Sequence, residues 1–272
     1  AVPKKLKEEK ASLMLITKQG VAKKISYESF KDVRRSGIIA IRLDKNDQLI
    51  SALVTEKGDE IMIATADGQS IRFKESDVRE MGRTASGVRG ITLKDDKDEV
   101  IGMVTVNDMS SEILVVAENG YGKRSSLDEY RITNRGGKGV KTLNITEKTG
   151  QLISINAVTD NDDLMIINKS GLTIRMAVED LRVMGRATQG VKLINIKGND
   201  SIAAVTKVMK DDPAEVELDE DGNPIEVEVI ERVKPVLEVL EDDGATDDED
   251  EEEEEIEDEE DVDDADEDDS DE

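Results

Sequence analysis

The 272 residues include no cysteine and no histidine, which excludes disulfides, thiolate metal sites and the commonest general base and zinc ligand. The net charge of −28 joins two unlike parts: residues 211–272 hold 36 acidic residues and two basic ones, whereas residues 1–210 hold 35 basic against 29 acidic, a net of +6. A mildly basic body with an acidic appendage points to a polyanionic partner and to something that competes with it.

In chain order, residues 1–11 read as the stub of an earlier repeat (Ala1-Val2-Pro3) followed by a charged linker, and the start without Met predicts a fragment. This stretch has no apolar leader, and nowhere is there an apolar run long enough to span a bilayer; neither secretion nor a membrane partner is expected, and a reducing cytosol fits. Four repeats follow, at about 12–54, 59–106, 111–158 and 163–208, marked by turn glycines Gly20, Gly68, Gly120 and Gly171 at spacings of 48, 52 and 51 residues. Each begins with a continuous apolar run (13–16, 61–64, 113–117, 164–167), the pattern of a strand buried on both faces. After the turn the returning strand alternates, as in Ile71-Arg72-Phe73-Lys74, which predicts one buried face and one face carrying cations. A polar corner, a second glycine (Gly37, Gly87, Gly139, Gly190), a third strand and an apolar fourth strand complete the unit. Four short antiparallel strands per repeat predict an all-β, propeller-like domain over 12–210, built of four-stranded blades.

Aligned on the turn glycine, the repeats place cations in columns. Four residues on are Lys24, Arg72, Arg124 and Arg175; eleven on, Lys31, Arg79, Arg131 and Arg182; fifteen on, Arg35, Arg83, Arg135 and Arg186. A fourth column, two after the second glycine, holds Arg89, Lys141 and Lys192, with Ile39 in the first repeat. Lys123 adjoins the first column, and Lys138 sits in the glycine-rich corner Arg135-Gly136-Gly137-Lys138-Gly139. Repeated scaffold positions are usually glycine or apolar, so repeated cations predict one charged spot on each blade and a track for the phosphates of duplex DNA. No aromatic platform interleaves them, which argues against single-strand stacking, and a curved rim suggests bent duplex. A solvated surface, or a propeller that binds a protein through its face, is the alternative. No general acid–base pair or nucleophile is evident, and neither a catalytic residue nor a metal ligand is expected; Tyr27, Tyr121 and Tyr130 read as structural.

The segments ATADGQSIRFKESDVREMGRTASGVRGI (64–91), ENGYGKRSSLDEYRIT (118–133) and VMGRATQGVKLI (183–194) resemble the C-terminal domain of DNA gyrase A. The resemblance implies a β-pinwheel, the later blades of a domain of about six, whose rim wraps duplex DNA with positive handedness. It further implies partners in the rest of gyrase A and in gyrase B (an A2B2 assembly), ATP and Mg2+ for the whole enzyme but no cofactor in this part, and the bacterial cytoplasm beside the nucleoid. The related tail of topoisomerase IV is the nearest alternative; the run Gly120-Tyr121-Gly122-Lys123-Arg124 favours gyrase. The family's signature box ends in Gly-Gly-cation-Gly. Residues 133–139 match its last five positions but lack its Gln and first cation, and so read as an ordinary DNA-contact corner.

Within 211–272, the alternation around Asp221-Gly222-Asn223-Pro224 suggests a hairpin, and the nearly pure Asp/Glu stretch from 241 predicts disorder. Either the tail solubilises the domain or it folds back on the cations as a DNA mimic. Glu217, Asp219, Asp221 and Glu228 fall at calcium-loop spacing, but flanking helices are not expected there.

Overall fold

The computed structural model describes residues 11–30, 37–196, 198 and 200–210, together with the backbone pairing of 238–239. Lys31, Arg35, the linker before Ala11, the tail hairpin and the calcium-loop spacing lie outside the described residues.

The period seen in the sequence becomes four antiparallel sheets. The first repeat forms β1 (Ser12–Thr17), β2 (Val21–Ser26) and β3 (Leu49–Thr55). The second forms β4 (Glu60–Thr65), β5 (Gln69–Lys74), β6 (Val88–Arg89) and β7 (Val100–Val106). The third forms β8 (Glu112–Ala117), β9 (Tyr121–Ser126), β10 (Val140–Lys141) and β11 (Leu152–Val158). The fourth forms β12 (Asp162–Asn168), β13 (Thr173–Ala177), β14 (Val191–Lys192) and β15 (Ile202–Met209), and the tail adds β16 (Glu238–Val239). Among the described residues no helix is long and apolar enough to cross a membrane.

The strands do not stay within their repeats. The sheet orders are β3-β1-β2-β6, β7-β4-β5-β10, β11-β8-β9-β14-β16 and β15-β12-β13. The short third strands of the second, third and fourth repeats (β6, β10 and β14) therefore complete the blade of the repeat before, where the sequence reading kept all four strands together. The reason is close approach. The turn glycine's carbonyl receives two N–H groups from the next repeat: Gly90 and Ile91 on Gly20, Thr142 and Leu143 on Gly68, Leu193 and Ile194 on Gly120. A Cβ on Gly139 would lie 2.4 Å from the Ser70 carbonyl oxygen, and Gly139 holds φ +80°, so only glycine closes this joint without strain.

Alternate residues of the central strands serve opposite neighbours, as a pleat requires. Ile61 and Ile63 of β4 join Met14 and Ile16 in one core, while Met62 and Ala64 join Ile113, Val115 and Tyr130 in the next. A third core sets Leu114 and Val116 against Leu164 and Ile166. The hydrophobic cores thus lie between blades. The inner strands β3, β7, β11 and β15 pack in succession, which leaves β6 and β10 at the outer edges and β14 beneath the short β16.

Burial between blades also overturns the half-exposed reading for β2, β5 and β9, though not for β13, whose Thr173–Arg175 stay partly exposed. The four central residues of β2 and of β9 are all buried, cations included, as are those of β5 from Ser70 to Phe73.

Candidate nucleic-acid interface

The first cation column is turned inward. Arg72, only 5% exposed, donates from Nε to Glu60 Oε2 at 2.7 Å and from its NH1 nitrogen to the carbonyls of Leu127 (2.8 Å) and Tyr130 (2.9 Å) in the next repeat. Arg124 pairs with Glu112 at 2.8 Å and with Asp160, and donates to Leu181 O at 2.7 Å. Lys24 meets the Glu75 carboxylate at 3.3 Å, and Arg175 meets Asp163 at 2.7 Å. These groups join strand to strand and blade to blade. Burial keeps Lys24, Arg72 and Arg124 from a phosphate backbone, against the rim placement expected for the first column, while Arg175 is half-buried beside Asp163.

Lys123 is also buried, and the same correction applies. Its ammonium donates to the carbonyls of Gly185 and Arg186 and to Thr188 Oγ1, all on the corner that carries Arg186. Burial pushes its pKa down to about 7, with Arg186 adding to the effect and Glu129 opposing it. Lys23 does the same one joint earlier, donating to Arg83 O and Ala85 O (2.7 Å each) and to Ala40 O (2.9 Å), and burial lowers its pKa too. Lys23 is a residue that the column alignment misses. The signal in the sequence is its place three after the turn glycine, which Lys123 shares and which Ile71 and Ile174 hold in the alternate repeats.

The remaining columns face outward. Arg79, Arg131 and Arg182 are exposed, each just beyond a 3-10 turn (Glu75–Asp77, Leu127–Glu129, Val178–Asp180). Arg83, Arg89 and Lys138 are exposed, while Arg135, Arg186, Lys141 and Lys192 are half-buried. The third and fourth columns meet across the joints. Arg135 donates to the carbonyl of Arg89 (3.3 Å) and to that of Asp77 (3.0 Å), and Arg186 donates to the carbonyl of Lys141 (3.2 Å). Each of these two joints therefore sets an outer-edge cation of one blade against a corner cation from the following repeat. Lys192 lies 6.0 Å from the Tyr121 ring centre, a cation–π contact that holds it at the edge of the third blade. An array of cations at matched places can bind successive phosphates without reading bases.

Tyr130 is buried with its hydroxyl 2.7 Å from Thr142 Oγ1, a structural setting. Among the described residues no group of three or more Asp and Glu is placed to hold a metal ion.

Residues 11–56, 59–107, 111–159 and 162–209 match the family model of the DNA gyrase C-terminal domain, beta-propeller. The chain is 44% identical over 219 residues to the DNA gyrase A of Staphylococcus aureus (strain NCTC 8325 / PS 47), covering 80% of this chain and 24% of that one. It is 43% identical over 210 residues to that of Staphylococcus epidermidis (strain ATCC 12228 / FDA PCI 1200), covering 77% of this chain and 23% of the other. The chain thus spans about a quarter of the length of these relatives. A solved DNA gyrase A C-terminal domain superposes with a TM-score of 0.68 at 27% identity, over 74% of this chain and 67% of that one. The C-terminal domain of a DNA topoisomerase IV gives 0.70 at 24% identity, over 74% and 63%, and shares the fold.

Proposed function

The chain belongs to the DNA gyrase A C-terminal β-propeller family, and from that premise we propose that its outer rim binds and wraps duplex DNA as a module of gyrase A. The observation that carries this reading is the meeting of the third and fourth columns at the joints (Arg89 with Arg135, Lys141 with Arg186), beside exposed Arg79, Arg131 and Arg182. Duplex bent along such an arc gains phosphate contacts that offset its bending energy. In the whole enzyme, in the bacterial cytoplasm, the wrap would present a neighbouring DNA segment for passage. ATP hydrolysis on gyrase B would drive negative supercoiling in an A2B2 assembly. The chemistry resides in those other parts; this one supplies geometry and charge. Identity of 43–44% to the staphylococcal gyrase chains favours gyrase over topoisomerase IV.

The acidic tail competes with DNA in this reading. Its residues Glu238–Val239 pair with β14, opposite Lys192 and Val191, and a tethered acidic segment reaches an effective concentration on the order of mM.

The test is topological. Nicked circular DNA is ligated in the presence of the whole chain, and the linking number is read after the protein is removed. A chiral wrap shifts the distribution in one direction in proportion to bound protein, and more strongly when the tail is deleted. An unshifted distribution at saturating protein would show binding without wrapping and refute this function.

A further inference from the structure

The corners that carry the rim arginines are built in two ways. At the first and third joints a buried lysine fills the corner from behind: Lys23 takes the carbonyls of Arg83 and Ala85, and Lys123 takes those of Gly185 and Arg186. At the middle joint Ile71 holds the lysine's place. The corner carbonyls there turn elsewhere, Gly136 O accepting from Thr92 Oγ1 at 2.6 Å and Gly137 O from Thr92 N at 3.0 Å. The backbone follows the same division. Gly136 is left-handed at φ +86°, whereas Thr84 and Ala187, at its place in the other two corners, are not; among the described residues Asn46 is the one non-glycine with positive φ.

Carbonyls drawn to a buried ammonium fix where the next amides go, because the C=O and N–H of a trans peptide point in opposite directions. The N–H groups of Thr84 and Ser86 at the first joint, and of Arg186 and Ala187 at the third, are therefore directed away from the lysine. Thr84 and Ser86 are exposed. At the third joint one of these amides already holds an anionic oxygen: Arg186 N donates to Glu129 Oε2 at 2.6 Å. The fold alone does not call for a lysine at this place. Ile71 closes the middle joint with no charge to bury, whereas burial lowers the pKa of both Lys23 and Lys123, so each ammonium is held against a desolvation penalty.

We infer, on the reading that the rim binds DNA, that Lys23 and Lys123 are positioning residues that turn these two corners into phosphate sites. Each site takes one phosphate of the duplex on its outward amides, Thr84 and Ser86 at the first joint and Ala187 at the third, beside the guanidinium of Arg83 or Arg186. Neither lysine touches the DNA. A bound phosphate favours the charged form of the lysine behind it, so binding takes up a proton. The charged groups around the Lys123 ammonium are Glu129, which favours its charge, and Arg186, which opposes it; a phosphate on Arg186 offsets that opposition. The free protein's value is about 7 and the bound protein's is higher. Affinity is therefore greatest below about pH 7 and falls as pH rises through the bound value.

The full chain and its Lys123→Met variant are titrated with a short random-sequence duplex at constant ionic strength, and affinity is read by fluorescence anisotropy across pH. The chain has no histidine and no cysteine, so ordinary side chains are silent between pH 6 and pH 9, and the α-amino terminus is common to both proteins. A phosphate that raises the Lys123 value by about one unit weakens wild-type binding about five- to tenfold over that range. Lys123→Met should bind more weakly at pH 6 and show a flat profile. In the wild-type chain, the amide resonances of Thr84, Ser86 and Ala187 should shift when duplex is added. If the variant does not fold, these wild-type amides decide alone. Equal pH profiles in the two proteins, or amides that stay in place while duplex binds, overturn the inference and leave the DNA reading standing. A chain that binds no duplex at any pH overturns both.

Discussion

Lys123 ties the third blade to the corner of the fourth repeat through a single buried ammonium. Its ammonium is enclosed and hydrogen-bonded to the corner that carries Arg186, with a pKa brought from the ordinary lysine value down to about 7. Below about pH 7 both folded and unfolded chains hold the proton, and the folded state bears the full penalty of a buried charge. Between about pH 7 and the unfolded value near 10.4 the unfolded chain binds more protons, so stability rises with pH. At about 1.4 kcal/mol per unit, two units of that window are worth about 3 kcal/mol between pH 6 and pH 9. Lys123→Met keeps the apolar stem and removes the titration. Urea unfolding of both proteins at the two pH values should show wild type gaining about 3 kcal/mol relative to the variant. A difference that stays constant to within about 0.5 kcal/mol would refute the claim that a buried, titrating lysine supports the corner.

Arg79, Arg131 and Arg182 changed together to Ala should lower the log–log salt slope of DNA binding by about 2.7, at about 0.9 per phosphate contact, as read by fluorescence anisotropy. Unfolding should move by no more than about 0.5 kcal/mol per site, because these residues are exposed. Arg72→Met should do the reverse: about 3–5 kcal/mol lost in denaturant unfolding, since Glu60 and two carbonyls lose their donor, with the salt slope of the folded protein unchanged. Gly139→Ala should destabilise by more than about 1 kcal/mol, and by more than Gly58→Ala, which has φ +101° but nothing within 4 Å of the added methyl. Paired melts separate the clash at the joint from the backbone strain that both variants share.

Much of the architecture is legible in the sequence. Turn glycines at a fixed period and continuous apolar runs such as Ile113 to Ala117 are local signals, and both the strands and the repeat count follow from them. Which blade owns a strand is not local. Val88-Arg89 looks alike whether it pairs within its own repeat or with β2, and only the close fit of Gly87 and Gly90 against Ala22 decides it. The cation columns are equally legible as columns, but the alignment does not reveal which face is covered. A second matched column holds the answer: eight residues before the turn glycine stand Glu60, Glu112 and Asp163, with Ser12 in the first repeat. These carboxylates are the partners of Arg72, Arg124 and Arg175. Where the carboxylate gives way to Ser12, Lys24 turns instead to Glu75. An acidic column in diagonal cross-strand register with a basic one marks buried pairing.

A phosphate track on the outer rim would make duplex affinity depend steeply on salt. Measured on residues 1–210 and on the full chain with one random-sequence duplex, contact with about eight phosphates gives a log–log slope near −7 for the shorter form. That slope is the expected result, with weaker binding when the tail is present. Absent binding, or an affinity that does not change with salt, would contradict it.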